Sequence, residues 1–319
     1  MKRVLPAAGI DPGTDRLIDP SFAADLIAWQ RQHGRHCLPW QNTTDAYRIW
    51  LSEIMLQQTQ VAAVIPYYRK FLLRFPGVDV LAAAPAEEVM AHWSGLGYYS
   101  RARNLHRCAQ QVMALHGGVF SSDPAALTEL PGIGRSTAAA ITAFAYGTRA
   151  AIMDGNVKRV FARVFGIATY PGERKTEEQL WKLAVALLPS ENDAASGTQI
   201  QPYTQGLMDL GATLCTRSRP ACERCPLAAR CVALATGRTA TLPVRKPSKA
   251  TPQKHAVMLV VTDNRHVLLQ RRPDSGIWGG LLSLPELDGF TATSSQTTQG
   301  DGARSVQQAA IALHVARFG

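Results

Sequence analysis

No stretch of this 319-residue chain approaches the roughly 18 consecutive apolar residues of a membrane span. A membrane protein is therefore not expected. The first residues, Met1-Lys2-Arg3, are basic, but Pro6, Gly9 and Asp11 break the apolar run behind them. That start predicts no secretory signal and a soluble, cytoplasmic protein. Cysteine is scarce, with 6 in the chain. So few thiols without a sign of export argue against a disulfide framework. Acidic charge is also in deficit: 24 Asp and Glu face 34 Lys and Arg, for a net charge of +10. With a pI near 9.6, a polyanionic partner is plausible, although a merely basic soluble protein would look the same. No internal repeat is visible.

What the chain does have is a cysteine quartet, Cys215-x6-Cys222-x2-Cys225-x5-Cys231. Four thiolates are soft ligands that suit an iron–sulfur cluster or a zinc ion. Zinc more often takes two C-x2-C knuckles, and only one pair here has that spacing. Cys37 and Cys108 read as ordinary buried or half-buried thiols.

From Ser21 to about Arg238 the apolar pattern is helical. Helices are predicted from Ser21, then over Asp45–Gln57, Val61–Arg74, Ala86–Trp93, Ser100–His116, Pro124–Leu130, Arg135–Tyr146, Asn156–Phe165, Glu177–Leu188 and Tyr203–Leu214. Pro76-Gly77 should stop the third. Thr241–Thr251 contains proline and charge and little to bury, as a linker should. Beyond it, Ala256–Thr262 and Val267–Gln270 read as strands joined by a turn at Asp263-Asn264. Thr291–Gly302 is polar and predicted mobile, and Ser305–Phe318 has the pattern of an amphipathic helix.

Several motifs carry chemistry. Leu130-Pro131-Gly132-Ile133-Gly134-Arg135 joins two helices through a turn whose glycines and free amides can hold a DNA phosphate. A simple interhelical turn is the plainer alternative. Glu53 interrupts the apolar stripe Ala46, Ile49, Leu56 on one helix face, where apolar walls would keep its carboxyl protonated near neutrality, as a general acid requires; a glutamate at the helix edge bonded to solvent is the plainer alternative. Asp154 opens a helix, where free amides favour its ionised form, although an ordinary N-cap would look the same. Together, one protonated acid and one charged acid suit glycosidic cleavage. Gln57 and Gln58 end the Glu53 helix with long amides that can enter a base stack. Gly95–Arg103 combines a flexible turn, Tyr98 and Tyr99 for stacking, and Arg101 and Arg103 for phosphates.

Leu51–Val61, Gly95–Tyr99, Leu130–Thr137, Asp154–Val160 and the quartet, in this order, resemble the adenine DNA glycosylases, the MutY family of helix-hairpin-helix glycosylases. The resemblance covers roughly residues 20–285. It implies base excision repair: removal of adenine mispaired with 8-oxoguanine or guanine in double-stranded DNA, by a monomer associated with the nucleoid. It implies a [4Fe-4S] cluster on Cys215, Cys222, Cys225 and Cys231, in place of zinc. By position, Glu53 resembles the acid that protonates adenine, Asp154 the carboxylate that stabilises the sugar cation, and Asn156 a residue that helps hold it. Gln58 and Tyr98 resemble residues inserted beside 8-oxoguanine. Gln57, Leu130, Gly132, Gly134, Ser136 and Lys158 are expected at the DNA, and Trp40 and Gln205 in the adenine pocket.

Ser136 stands where the related endonuclease III has its Schiff-base lysine, which implies a monofunctional enzyme. The nearest alternative is an endonuclease III-like glycosylase/lyase, and a more distant one is a non-catalytic redox sensor on DNA. Lys158, near Asp154, would allow weak lyase activity at most. Residues 256–285 resemble the start of a Nudix-like domain without the glutamate-rich hydrolase box, so pyrophosphate hydrolysis is not expected. The Phe-Thr/Ser-His loop of that domain is not found before Gly319, which predicts weaker reading of 8-oxoguanine. The expected fold is mainly α: a two-lobed helix-hairpin-helix glycosylase with an iron–sulfur cluster, plus a shortened Nudix-like α+β C-terminal module. The expected division is an N-terminal tail over 1–19, a cluster lobe over 20–38 and 147–238, a helical barrel lobe over 39–146, a linker over 239–253 and the partial module over 254–319.

Overall fold

The computed structural model describes residues 21–190, 196–246, 256–273, 276 and 278–287. The chain divides into two units, Met1–Pro247 and Ser248–Gly319. Along the first run α1 (Ser21–His33), α2 (Ala46–Leu56), α3 (Val61–Arg74), α4 (Val78–Ala83), α5 (Ala86–Trp93), α6 (Ser100–His116), α7 (Pro124–Thr128), α8 (Arg135–Tyr146), α9 (Gly155–Val164), α10 (Arg174–Ala186), α11 (Ser196–Asp209) and α12 (Val232–Ala235).

Local chemistry sets these boundaries. Asp45 caps α2, its carboxylate accepting from the Tyr47 amide at 2.9 Å. Asp123 caps α7, where Pro124 occupies the first turn and its missing N–H costs nothing. Glycines in the left-handed region end α6 at Gly117 and α8 at Gly147.

The apolar faces build two cores. One gathers α1, α9, α10 and α11 around Phe22, Leu26, Val160, Phe161, Leu183 and Leu207. The other gathers α2 to α7 around Trp50, Tyr68, Phe71, Trp93 and Leu105. Helix α8 serves both: Ala139, Ala140 and Ala143 face the first core, and Ala138 and Ile141 the second. Its small side chains let α2 and α11 approach it closely from two directions.

Some boundaries differ from those read in the sequence. A short helix, α4, follows Pro76-Gly77, where only a stop was expected; Gly77 itself sits as its N-cap. Helix α11 starts at Ser196 and runs through Pro202 rather than beginning after it, and it continues as a π-helical turn, Leu210–Leu214. Leu242, assigned to the linker, is buried in the helical unit, and its carbonyl accepts from Arg163 Nε at 2.9 Å. Cys37 is exposed rather than buried, while Cys108 is fully covered.

In the second unit, β1 (Val257–Met258) pairs antiparallel with β4 (Glu286–Leu287), and β2 (Gln270–Arg271) with β3 (Leu282–Ser283). Thr262 bridges Val267 across the expected turn, with Asn264 in the left-handed conformation. The apolar runs expected as strands make only these short ladders among the described residues, and Val260, Val267 and Leu269 are exposed. Thr291–Gly302 and Ser305–Phe318 lie outside the described residues.

If α8 is packed from both sides, Ala140→Leu should overfill it and cost about 1–3 kcal/mol. Thermal unfolding of Ala140→Leu beside Leu73→Ala, a change at an exposed α3 position, should lower Tm only for the first. Equal Tm values for the two would show that α8 has room.

Candidate active site

A cavity of about 440 Å³ opens in the helical unit, lined by Trp40, Ile49, Ser52, Glu53, Leu56, Gln205 and Met208, among others. Helix α2 sends Ile49, Ser52, Glu53 and Leu56 into it, as their spacing on one helix face dictates. Helix α11 supplies Gln205 from the other side. Trp40 packs edge-on against Tyr68, with ring centroids 5.4 Å apart, which fixes its plane at the wall.

Glu53 is the acid in this wall. Burial, followed by the charge of Asp154, pushes its carboxyl from 4.5 up to about 8. It is therefore protonated at neutral pH. Asp154 caps α9, accepting from the Val157 amide at 2.7 Å and from the Asn156 side chain at 3.5 Å. Burial raises its pKa too, a correction to the expectation from helix position alone. The Val157 and Asn156 amides and the Arg159 guanidinium oppose that rise. Glu53 has no such opposing donors, so the surroundings favour charge on Asp154 more than on Glu53.

The elements behind Asp154 are tied down by arginines that the sequence did not single out. Arg159 donates to Asn156 Oδ1 at 2.8 Å, to the Gly211 carbonyl at 2.7 Å and to the Cys215 carbonyl at 2.7 Å. It thus joins the start of α9 to the π-helical turn and to the first cysteine. Gly211 approaches so closely that a Cβ there would lie 2.6 Å from the Asn156 Cβ. Arg163, nearly fully buried, donates to Cys215 Sγ at 3.4 Å and to the carbonyls of Thr216 and Arg217. At the cavity, the fully buried carboxylate of Asp209 accepts from Arg35 N, Arg35 Nε and Gln205 Nε2. A full set of donors is the signal for such residues, and it exists only after folding.

The four quartet cysteines line one small cavity of about 20 Å³. Burial pushes the Cys225 thiol up to about 11, and those of Cys222 and Cys231 rise as well. No group of three or more His, Cys, Asp or Glu side chains among the described residues is set to hold a metal ion. The donor set, four thiols on one cavity, nonetheless has the chemistry a soft metal centre needs.

Residues 51–185 match the family model described as HhH-GPD superfamily base excision DNA repair protein. The chain is 36% identical over 265 residues to the adenine DNA glycosylase of Buchnera aphidicola subsp. Acyrthosiphon pisum, covering 83% of this chain and 74% of that one. The chain belongs to the adenine DNA glycosylase family. It is an enzyme of base excision repair that hydrolyses an N-glycosidic bond. The human adenine DNA glycosylase is 34% identical, with 84% of this chain and 57% of that one covered. Among solved structures, a thermostable thymine-DNA glycosylase superposes with a TM-score of 0.61 at 28% identity, over 70% of this chain and 99% of that one. A non-covalent endonuclease III–DNA complex shares the fold, with a TM-score of 0.56 at 20% identity, over 72% and 99% of the two chains.

In this glycosylase Glu53, Trp40 and Gln205 share one cavity, and Asp154 is close enough to raise Glu53. The other expected site residues lie elsewhere. Gln58 and Tyr98 are exposed, both with positive φ, at 57° and 48°. Gln57 is half-buried, its carbonyl accepting from Arg101 at 2.7 Å. Arg101 is buried and cannot meet a phosphate from there, contrary to its reading as a surface cation. In the hairpin, Leu130 is core, and Gly132 takes φ 81° against Asn104. Gly134 is extended with open space where a Cβ would be. Ser136 Oγ accepts from the Met153 amide at 2.9 Å. Lys158 is paired with Glu177 at 2.6 Å.

The raised pKa of Glu53 has a thermodynamic consequence. Between about 4.5 and about 8 the folded protein keeps a proton on Glu53 that the unfolded chain has released. Stability therefore falls as pH rises through that window. Glu53→Gln removes the penalty, so its Tm should exceed that of the unmodified protein at about pH 7.5 and lose the advantage near pH 4. An offset in Tm that is the same at both pH values would show that Glu53 titrates normally.

Proposed function

We propose that this glycosylase removes adenine mispaired with 8-oxoguanine or guanine in double-stranded DNA, acting as a monomer, and leaves the strand intact. The observation that carries this reading is the pair of unlike acids: Glu53, held protonated at a cavity wall, and Asp154, capped by amides. Adenine turned out of the stack would enter the cavity between Trp40 and Gln205. The Gln205 Nε2 is committed to Asp209, which leaves its Oε1 to accept from the base. Glu53 donates its proton to a ring nitrogen, making adenine a neutral leaving group. The Asp154 carboxylate then faces the positive charge that develops on the sugar, and Asn156 and Arg159 hold it there.

DNA contact follows from the same elements. Gly134 needs neither its torsion nor its packing to be glycine, so the open space beside it suits a phosphate resting on the first amides of α8. Gln58 and Tyr98, both exposed, and the half-buried Gln57 are read as the side chains that enter the base stack beside the lesion. Ser136 has no amine, and Lys158 is occupied by Glu177, which supports a monofunctional enzyme. Cys215, Cys222, Cys225 and Cys231 would hold a [4Fe-4S] cluster. That group would supply structure, closing a loop otherwise short of core. Residues 256–285 are read as the start of a Nudix-like module, by their resemblance to that domain.

Glu53→Gln should lower single-turnover adenine release from duplexes with adenine opposite 8-oxoguanine by about 10²–10⁴-fold while keeping duplex binding. Release near the unmodified rate would remove Glu53 from the mechanism. The product strand should stay whole until alkali is applied; nicking as fast as base release would mark a lyase instead. Replacing Cys225 by serine should lower iron content and DNA affinity together, and a fully active protein containing only zinc would contradict the cluster.

A further inference from the structure

Arg101 is the second residue of α6 and is only 7% exposed. Its guanidinium makes contacts in two directions. Nη1 donates to the carbonyls of Ile54 at 3.0 Å, Met55 at 2.8 Å and Gln57 at 2.7 Å. Nη2 donates to Thr59 Oγ1 at 3.1 Å and to the carbonyls of Leu96 at 3.4 Å and Gly97 at 3.1 Å. The first group is the free C-terminal end of α2, where carbonyls lack helical partners and the helix dipole is negative. The second belongs to the turn leading into α6. The guanidinium also lies over two rings, 5.3 Å from the centroid of Trp93 and 5.4 Å from that of Tyr98.

The residues pinned in this way bracket Gln58 and Tyr98. Gln57 and Thr59 flank Gln58, and Gly97 precedes Tyr98, whose own carbonyl accepts from the Arg101 amide at 2.9 Å. Both Gln58 and Tyr98 hold positive φ, a strained conformation for a non-glycine residue that persists only where its surroundings enforce it. Both are exposed. Two strained, exposed side chains from separate loops thus share one buried anchor.

We infer that Arg101 is a positioning residue that locks Gln58 and Tyr98 into a single two-pronged wedge, so that the two enter DNA in register. The inference rests on the reading of those two side chains as the groups inserted opposite the extruded adenine. A lysine cannot replace the anchor, because a single ammonium lacks the two-sided fork that reaches both loops.

The test compares two duplexes under single-turnover conditions. In one, adenine faces guanine; in the other it faces an abasic-site analogue, which leaves no partner base to displace. Arg101→Lys should slow release from the first duplex by about 10²-fold and from the second by less than about threefold, since misplacement of a positioning group costs rate only where that group is used. Thr59→Val, which removes one acceptor from the anchor and leaves the buried cation in place, should show the same split with a smaller loss. It carries the test if Arg101→Lys does not fold. Equal losses on both duplexes, or none, for the variant that folds would overturn the positioning role. Failure of the unmodified enzyme to release adenine from either duplex would instead sink the adenine reading itself.

Discussion

Two carboxyl groups near each other in a protein interior cannot both be charged at little cost. Glu53 and Asp154 are such a pair, and much of the site depends on how the conflict is resolved. Glu53 sits on the apolar wall formed by α2 and has no opposing donors. Asp154 sits at the start of α9, where amides and Arg159 favour its charge. The surroundings therefore favour the proton on Glu53 and the charge on Asp154. Moving either acid to a different helix position would remove the asymmetry, and with it the pairing of a proton donor and an anion that glycosidic cleavage uses.

Holding that pair in place is the task of buried and half-buried polar side chains with many partners. Asp209 fixes Arg35 and Gln205 at the cavity. Arg159 and Arg163 bind α9 to the loop that carries the cysteines. Arg101 joins the end of α2 to the turn before α6. Three of these four are arginines, whose planar fork can satisfy several carbonyls at once. Each satisfies backbone groups at helix ends or in the loops that follow them, so these segments gain the rigidity a catalytic site needs. The arrangement also explains why the π-helical turn at Leu210–Leu214 is tolerated: Gly211 presents its carbonyl to Arg159 and no side chain to Asn156.

The second unit stands apart in character. Its short ladders leave apolar residues such as Val260 and Trp278 in solvent. None of the acids or cysteines of the proposed chemistry lies in it. The helical unit carries Glu53, Asp154, the hairpin and the cysteine quartet within residues 53–231, on which the proposed chemistry rests.

The helices were legible because their apolar spacing, their capping aspartates and their terminal glycines are all local signals. The cysteine spacing and the Glu53 stripe were legible for the same reason. Position along a helix also foretold that Asp154 would cap α9, but not that burial would raise its pKa, because burial depends on what packs against it. Arg101 looks in the sequence like one more surface cation beside two tyrosines; only folding covers it and turns its fork toward two loops. The passage of α11 through Pro202 and the burial of Leu242 were likewise decided by neighbours distant in the chain. The sequence by itself determined where most of the helices form, since that depends on short-range spacing. The tertiary structure alone decided how deeply Asp154 is buried and which arginines stay inside, since both depend on the sum of solvent lost and partners gained.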